Sequence, residues 1–181
     1  MNPGAIADAT VTMWVKPDDA ILGTPGLYKT FGHDDGGWDR TFGLDNRQGE
    51  YRYAAFTGGA GPGPTATTGT PVTSDWTFLA AVWDTDNPDA GSNTVTFYAN
   101  GNSITETLTN TPSAHMNAAI GSLRPDNFAE GFQGLIDDVR IFDSALTANE
   151  VAAVQAQVPE PASLTLLAFG VLGLLRGRRR R

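Results

Sequence analysis

The sequence predicts an all-β protein: an antiparallel β-sandwich with one short helix at its end, followed by a C-terminal hydrophobic helix. Three observations carry this expectation. Short runs of alternating apolar and polar residues recur along the first 142 residues. Clusters of Gly, Pro, Asn and Asp separate those runs at the spacing turns require. A helix start signal stands late in the body, at Thr147 with Glu150 three residues on.

The elements follow in order. Thr10 to Lys16 places Val11, Met13 and Val15 on one strand face and Thr12, Trp14 and Lys16 on the other, and Pro17-Asp-Asp ends it. Gly26 to Phe31 is a second strand, closed by a Gly- and Asp-rich loop from Gly32 to Asp39. Thr41 to Leu44 and Glu50 to Phe56 form a hairpin across Asp45 to Gly49. Gly58 to Thr70 contains only Gly, Pro, Thr and Ala without periodicity, and reads as a long loop. Trp76 to Trp83 is nearly all apolar, as in a strand buried on both faces. Thr94 to Tyr98 and Ser103 to Leu108 flank Asn100-Gly101, a hairpin signal in which both central residues take positive φ. Ala118 to Leu123 and Gly134 to Phe142 supply the last of about nine strands. Trp14, Trp76 and Trp83 are assigned to the core.

The tail is of a different kind. Pro159-Glu160-Pro161 blocks helix propagation from upstream, because Pro161 lacks an N–H and restrains the residue before it. Ala162 to Leu175 then carries no charge, and Arg176, Arg178, Arg179, Arg180 and Arg181 close the chain. Fourteen helical residues reach about 21 Å, short of a hydrocarbon core of about 30 Å. Snorkelling arginines compensate, and their one-sided placement orients the C-terminus to the cytoplasm and the body outside. A plain tail anchor is the alternative, against which the short apolar run counts. Residues 1–157 are therefore taken as one domain and 158–181 as a separate tail.

Composition excludes several classes. There is no cysteine, so no disulfide supports the fold. Five of twelve basic residues but only Glu160 of twenty acidic ones lie in the tail, leaving seven basic and nineteen acidic groups, a net −12, on the body. Such a surface disfavours nucleic acid and anionic partners. The first eight residues have neither a basic n-region nor an apolar h-region, so they do not form a secretory signal peptide. That conflicts with a tail of this kind, and the expectation is a fragment or a miscalled start.

The order Pro159-Glu160-Pro161, apolar run and terminal arginines resembles the PEP-CTERM sorting signal over Val158 to Arg181. The resemblance implies an exosortase as processing partner, a membrane-embedded cysteine transpeptidase that cuts near the triplet. It also implies transient membrane anchoring through the C-terminal helix, then delivery to the cell surface or extracellular matrix. The body resembles the LamG-like jelly-roll domain of the concanavalin A-like lectin/glucanase superfamily. Three stretches carry this: Val11 to Pro17; Trp76 through Ala80-Ala81-Val82 to Tyr98-Ala99-Asn100-Gly101; and Gly134 to Phe142 with Ala145, Leu146 and Glu150. Family members have another strand before the one from Thr10 to Lys16, so an exposed sheet edge is expected where only nine residues precede Thr10.

Candidate sites follow from both. Glycoside hydrolysis needs two carboxylates about 5–10 Å apart, and laminarinase-like relatives set them in a Glu-x-Asp pattern that none of the five glutamates shows. His33 and His115 are placed in surface loops. No catalytic residue is assigned. Asp84-x-Asp86-Asn87-x-Asp89 begins like an EF-hand but has Pro88 at the fifth position and Val95 where the bidentate Glu belongs, so an Asp-rich turn is the better reading. Asp137 is the candidate calcium ligand: alternation sets it in a row with Leu135, Val139 and Ile141, and its place resembles a calcium-ligand aspartate of laminarinase-like relatives. The competing reading pairs Asp137 or Asp138 with Arg140 or a backbone donor. For glycan, Trp38 beside Asp34 and Asp35 offers a stacking face among hydroxyl acceptors, with Tyr53, and Tyr51 on the same strand face, as additions. Together these readings describe a non-catalytic surface or matrix protein that binds extracellular polysaccharide. A glycan-active hydrolase or lyase, or a purely structural adhesion protein, is the alternative.

Overall fold

The computed structural model describes residues 8–33, 40–47, 51–57, 65–85, 93–108, 118–123 and 130–157. Among them run β1 (Ala9–Pro17), α1 (Asp19–Leu22), β2 (Leu27–His33), β3 (Arg40–Asp45), β4 (Arg52–Phe56), β5 (Thr65–Pro71), β6 (Thr77–Asp84), β7 (Thr94–Ala99), β8 (Asn102–Thr107), β9 (Ala119–Ile120), β10 (Gly134–Phe142) and α2 (Ala148–Gln155). They form two five-stranded antiparallel sheets, ordered β10-β1-β6-β7-β8 and β5-β4-β3-β2-β9. This is the sandwich the alternation implies.

The two inner faces meet through aromatic rings. Phe42 of the second sheet lies 5.7 Å from Phe31, 6.2 Å from Trp83 and 5.9 Å from Phe97, the last two on the first sheet. Met13, Val15, Leu44, Leu79 and Val95 fill the space around them with no exposed surface. At about 25 cal/mol per Å² of apolar area, each such side chain contributes about 1.5–3 kcal/mol.

The first sheet is also apolar on its outer face. Phe78, Ala80 and Val82 alternate with the inward Leu79, Ala81 and Trp83, and Val151 and Val154 of α2 cover them. β6 is thereby buried on both sides, which accounts for its continuous apolar run. α2 starts where expected: Thr147 accepts from the Glu150 N–H, and Glu150 Oε2 accepts from the Thr147 N–H at 2.8 Å, a complete capping box. The Thr10 hydroxyl ties the approach down, donating to Ser144 O at 2.7 Å and accepting from Leu146 N at 3.0 Å. Arg140 Nη1 holds the exit, donating to Gln157 Oε1 at 2.6 Å.

Several expectations are corrected. β5 runs through the stretch read as a loop, because threonines supply β-branched strand formers without apolar alternation. Its Thr70 hydroxyl donates to Ala99 O at 3.0 Å and accepts from Asn102 Nδ2 at 3.0 Å, linking the two sheets at their β5 and β8 edges. α1 was hidden in the turn after Pro17: Asp18 caps it by accepting from Ala20 N, and Ile21 enters the core. In the β7–β8 turn only Asn100 takes a left-handed φ, 52°, and its Oδ1 accepts from Phe78 N at 3.0 Å. Trp76 is 42% exposed rather than core.

β2 and the chain after β9 approach so closely that a Cβ on Gly32 would lie 1.9 Å from Leu123 O. Gly23, by contrast, has open space around it and a φ of −105°. Gly32→Ala is expected to cost about 1–3 kcal/mol by urea melt, and Gly23→Ala next to nothing. Equal effects of the two would refute the close approach.

Candidate functional site

β2 and β3 end together at the corner from which the candidate glycan loop leaves. His33 pairs with Arg40 in the ladder, and both are almost fully buried. The Arg40 guanidinium carbon lies 5.9 Å from the Trp83 ring. His33 is thus the buried last residue of β2, paired in the ladder with Arg40, and not a surface-loop histidine. Asp34, Asp35 and Trp38 fall between these strand ends and lie outside the described residues, as do His115 and Pro159, Glu160, Pro161, Arg176, Arg178, Arg179, Arg180 and Arg181.

Tyr53 does not join a surface site. It points into the inter-sheet core at 1% exposure, where its hydroxyl meets Thr77 Oγ1 at 3.2 Å. Burial pushes its phenol above the ordinary 10.0, against the opposing pull of the Thr77 hydrogen bond. Tyr51, just before β4, is 38% exposed. Of the two tyrosines only Tyr51, outside the strand, reaches solvent.

The outer face of the second sheet carries a cluster that sequence inspection missed. Register puts Lys29, Gly43 and Ala54 in one row and Asp45 opposite Arg52 in the next, on the side away from the core. Lys29 and Asp45 are nonetheless 0% and 1% exposed. The segment at Glu130 and Gly131 runs alongside β2 at this point: Lys29 N donates to Glu130 O at 2.8 Å, and Lys29 bridges Gly131 in parallel. Lys29 Nζ stands 3.0 Å from the Phe56 ring centroid, a cation–π contact in a desolvated setting.

Asp45 is the hub. Its Oδ1 accepts from Arg47 N at 3.2 Å and Arg47 Nε at 2.9 Å, and its Oδ2 accepts from Arg47 Nη2 at 2.8 Å. Arg52 Nη2 lies 3.5 Å from the same Oδ2. Burial alone raises the Asp45 pKa. The hydrogen bonds and charge of Arg47, with the charge of Arg52, outweigh it and hold the carboxyl below its ordinary 3.8. An aspartate so held is ionised at neutral pH and has no proton to give, so it is a structural acceptor rather than a general acid.

The candidate metal residue is placed differently from the alternation. β10 carries a bulge: Thr12 pairs with Arg140 and Trp14 with Asp137, leaving Asp138 and Val139 opposite Met13. Asp138 takes a left-handed φ of 47° at that point. The bulge shifts the parity, so Ile136, Val139 and Ile141 pack against the core while Asp137 stands on the exposed side. Asp137 Oδ1 accepts from Asp138 N at 2.8 Å, and Asp138 takes both Arg140 Nε at 2.9 Å and Nη2 at 3.0 Å. Among the described residues no three His, Asp or Glu side chains converge as a metal site.

Residues 3–152 match a known family model, that of the concanavalin A-like lectin/glucanases superfamily. The chain belongs to this superfamily. A second model, the PEP-CTERM protein-sorting motif, matches residues 157–181. No curated protein matches. Among solved structures, the chain is similar to domain 4 of AbnA, in complex with arabinotriose; AbnA is an extracellular arabinanase from Geobacillus stearothermophilus. The identity is 26%, with a TM-score of 0.57, covering 82% of this chain and 66% of that one. The CBM40 of the Ruminococcus gnavus IT-sialidase shares the fold at 18% identity and TM-score 0.56, covering 83% of each chain. The Trypanosoma rangeli sialidase does so at 15% identity and TM-score 0.56, covering 87% of this chain and 24% of that one. Among the described residues no helix is long and apolar enough to cross a membrane.

The Asp45 cluster makes stability pH-dependent. A carboxyl whose folded pKa is depressed stabilises the fold above its unfolded pKa, and this is lost as pH falls through the folded value. Asp45→Asn is expected to lose about 1.5–3 kcal/mol at pH 7. The difference from wild type shrinks once pH drops below the ordinary 3.8. A gap that stays constant down to acid pH would show that the charge is not what Asp45 contributes.

Proposed function

We propose that the chain is a non-catalytic carbohydrate-binding module that exosortase sorts to the cell surface or extracellular matrix, where it holds polysaccharide. The observation that carries this reading is the joining, in one chain, of the superfamily fold over residues 3–152 to the sorting motif over 157–181. The arabinotriose bound by the AbnA domain supports a glycan ligand, since that domain is 26% identical. Fold by itself does not assign a ligand, so the site has to be argued from its residues. The ligand site of this proposal is Trp38 as stacking face with Asp34 and Asp35 as hydroxyl acceptors, in the sequence between the buried His33 and Arg40. Asp137, at the exposed side of the β10 bulge, is the calcium ligand of this proposal.

The test is calorimetric titration of the full chain with arabino-oligosaccharides and sialyllactose, in calcium and in EDTA. Trp38→Ala is expected to weaken binding about tenfold or more, the loss of one stacking face, with the melting temperature unchanged. Asp137→Ala is expected to remove any difference between calcium and EDTA. Release of shortened sugars would move the protein to the hydrolase or lyase class, and no binding to any glycan would leave a structural or adhesion role.

Sorting has its own test. Replacing Pro159, Glu160 and Pro161 by alanine in cells that carry an exosortase is expected to leave the protein membrane-retained and uncut. Normal surface delivery of that variant would sink the sorting half of the proposal and leave the binding half standing.

A further inference from the structure

α2 covers only part of the first sheet's outer face. Val151 and Val154 sit over Phe78, Ala80 and Val82, and the face stays open toward the end of β1 and the start of β6 and β10. Register defines what lies there. Lys16 is opposite Leu135, and Trp14 is opposite both Asp137 and Phe78. Thr77 faces inward to Tyr53, so strand alternation turns the preceding Trp76 outward onto the same strip. Trp76 is 42% and Leu135 59% exposed, Lys16 is exposed, and Trp14 and Tyr98 are half-buried. Trp14 Nε1 has no hydrogen-bond partner among the described residues.

The chain leaves the body beside this strip. Gln157 is tied to Arg140, which is opposite Thr12, two residues and so about 7 Å along β1 from Trp14. From Gln157 to the start of the apolar run at Ala162 are five peptide steps, a reach of at most about 18 Å. The headgroup layer on each side of the hydrocarbon takes up about 5–8 Å of that. With the apolar run in a bilayer, the body cannot stand clear of the membrane, and the exposed aromatic surface that register sets beside the tether's tie at Arg140 is the strip. Exposed Trp, Leu and Lys are the side chains that rest at a lipid interface, with the indole at headgroup level and the ammonium in water.

We propose that the strip of Trp14, Lys16, Trp76 and Leu135 docks on the lipid surface while the sorting tail is inserted, and fixes how the body stands over the membrane before processing. This rests on the reading of the tail as membrane-inserted. The body's excess of acidic groups repels anionic headgroups, so the partner is a zwitterionic lipid surface.

The chain has no cysteine, so single substitutions carry unique fluorophores. Leu135→Cys, Glu106→Cys and Ser163→Cys, each in the full chain, are labelled and reconstituted in phosphatidylcholine vesicles with headgroup-level or chain-level quenchers. Glu106 lies on β8, at the far end and opposite edge of the same sheet, and serves as the control. The Leu135 label is expected to lose about half or more of its emission to the headgroup-level quencher, the Glu106 label little, and the Ser163 label to report insertion. Trp76→Ser is expected to relieve the quenching at Leu135 while the Ser163 label stays quenched. A quenched Ser163 label with an unquenched Leu135 label overturns the docking and leaves the sorting reading intact. No quenching at any site overturns both. A Leu135 label that responds to arabinotriose without vesicles, and not to the lipid quenchers, reassigns the strip to glycan.

Discussion

The structure is arranged around a strand that cannot meet water on either side. β6 presents Leu79, Ala81 and Trp83 to the second sheet and Phe78, Ala80 and Val82 to the opposite side, all at most 5% exposed. Burying one face requires the second sheet; burying the other requires α2. The helix has eight residues, too short to be stable in isolation, so its packing on Phe78, Ala80 and Val82 holds it as much as its capping box does. Because α2 must lie on that face, the chain must leave the body from it. The demand of one strand for double burial therefore decides where the sorting motif is attached.

The second sheet solves a different problem. Its outer face carries charge rather than an apolar surface, yet Lys29 and Asp45 are as buried as the core. Dry charges are costly unless matched, and here they are: Asp45 by two arginines, Lys29 by the Phe56 ring. Such a network tolerates little displacement, since moving one member strands the others. It stiffens the outer face of the second sheet from Lys29, at mid-strand, to Asp45, at the end of the β2–β3 ladder away from His33 and Arg40.

The parts divide the work. The superfamily fold supplies a rigid frame with both sheets tied at the β5–β8 edge through Thr70, and the tail supplies the address. What connects them is the outer face of the first sheet, where Arg140 holds Gln157 at the boundary between the two.

Much of this was legible in the sequence because it depends on near neighbours. Strand alternation, the Thr147–Glu150 capping box, the double-sided burial of β6 and the sorting tail all follow from residues a few positions apart, and the hairpins at 45–49 and 100–101 from turn chemistry. What depended on distant partners was not legible. The β10 bulge at Asp138 reversed the parity that alternation assigns to Asp137, and no local pattern marks an extra residue in a strand. β5 forms from threonines only because β4 lies beside it. Tyr53 and His33 are buried, and Trp76 exposed, through the placement of elements that sequence spacing does not set. The Thr10 tie to Ser144 spans 134 residues, and the pairing of Lys29 with Phe56 needs two strands in register with a third between them. The sequence by itself determined the strands that alternate, the capped helix α2 and the sorting motif at the end. Only the tertiary structure decided which side chains face water, because burial is a property of what the rest of the chain brings alongside.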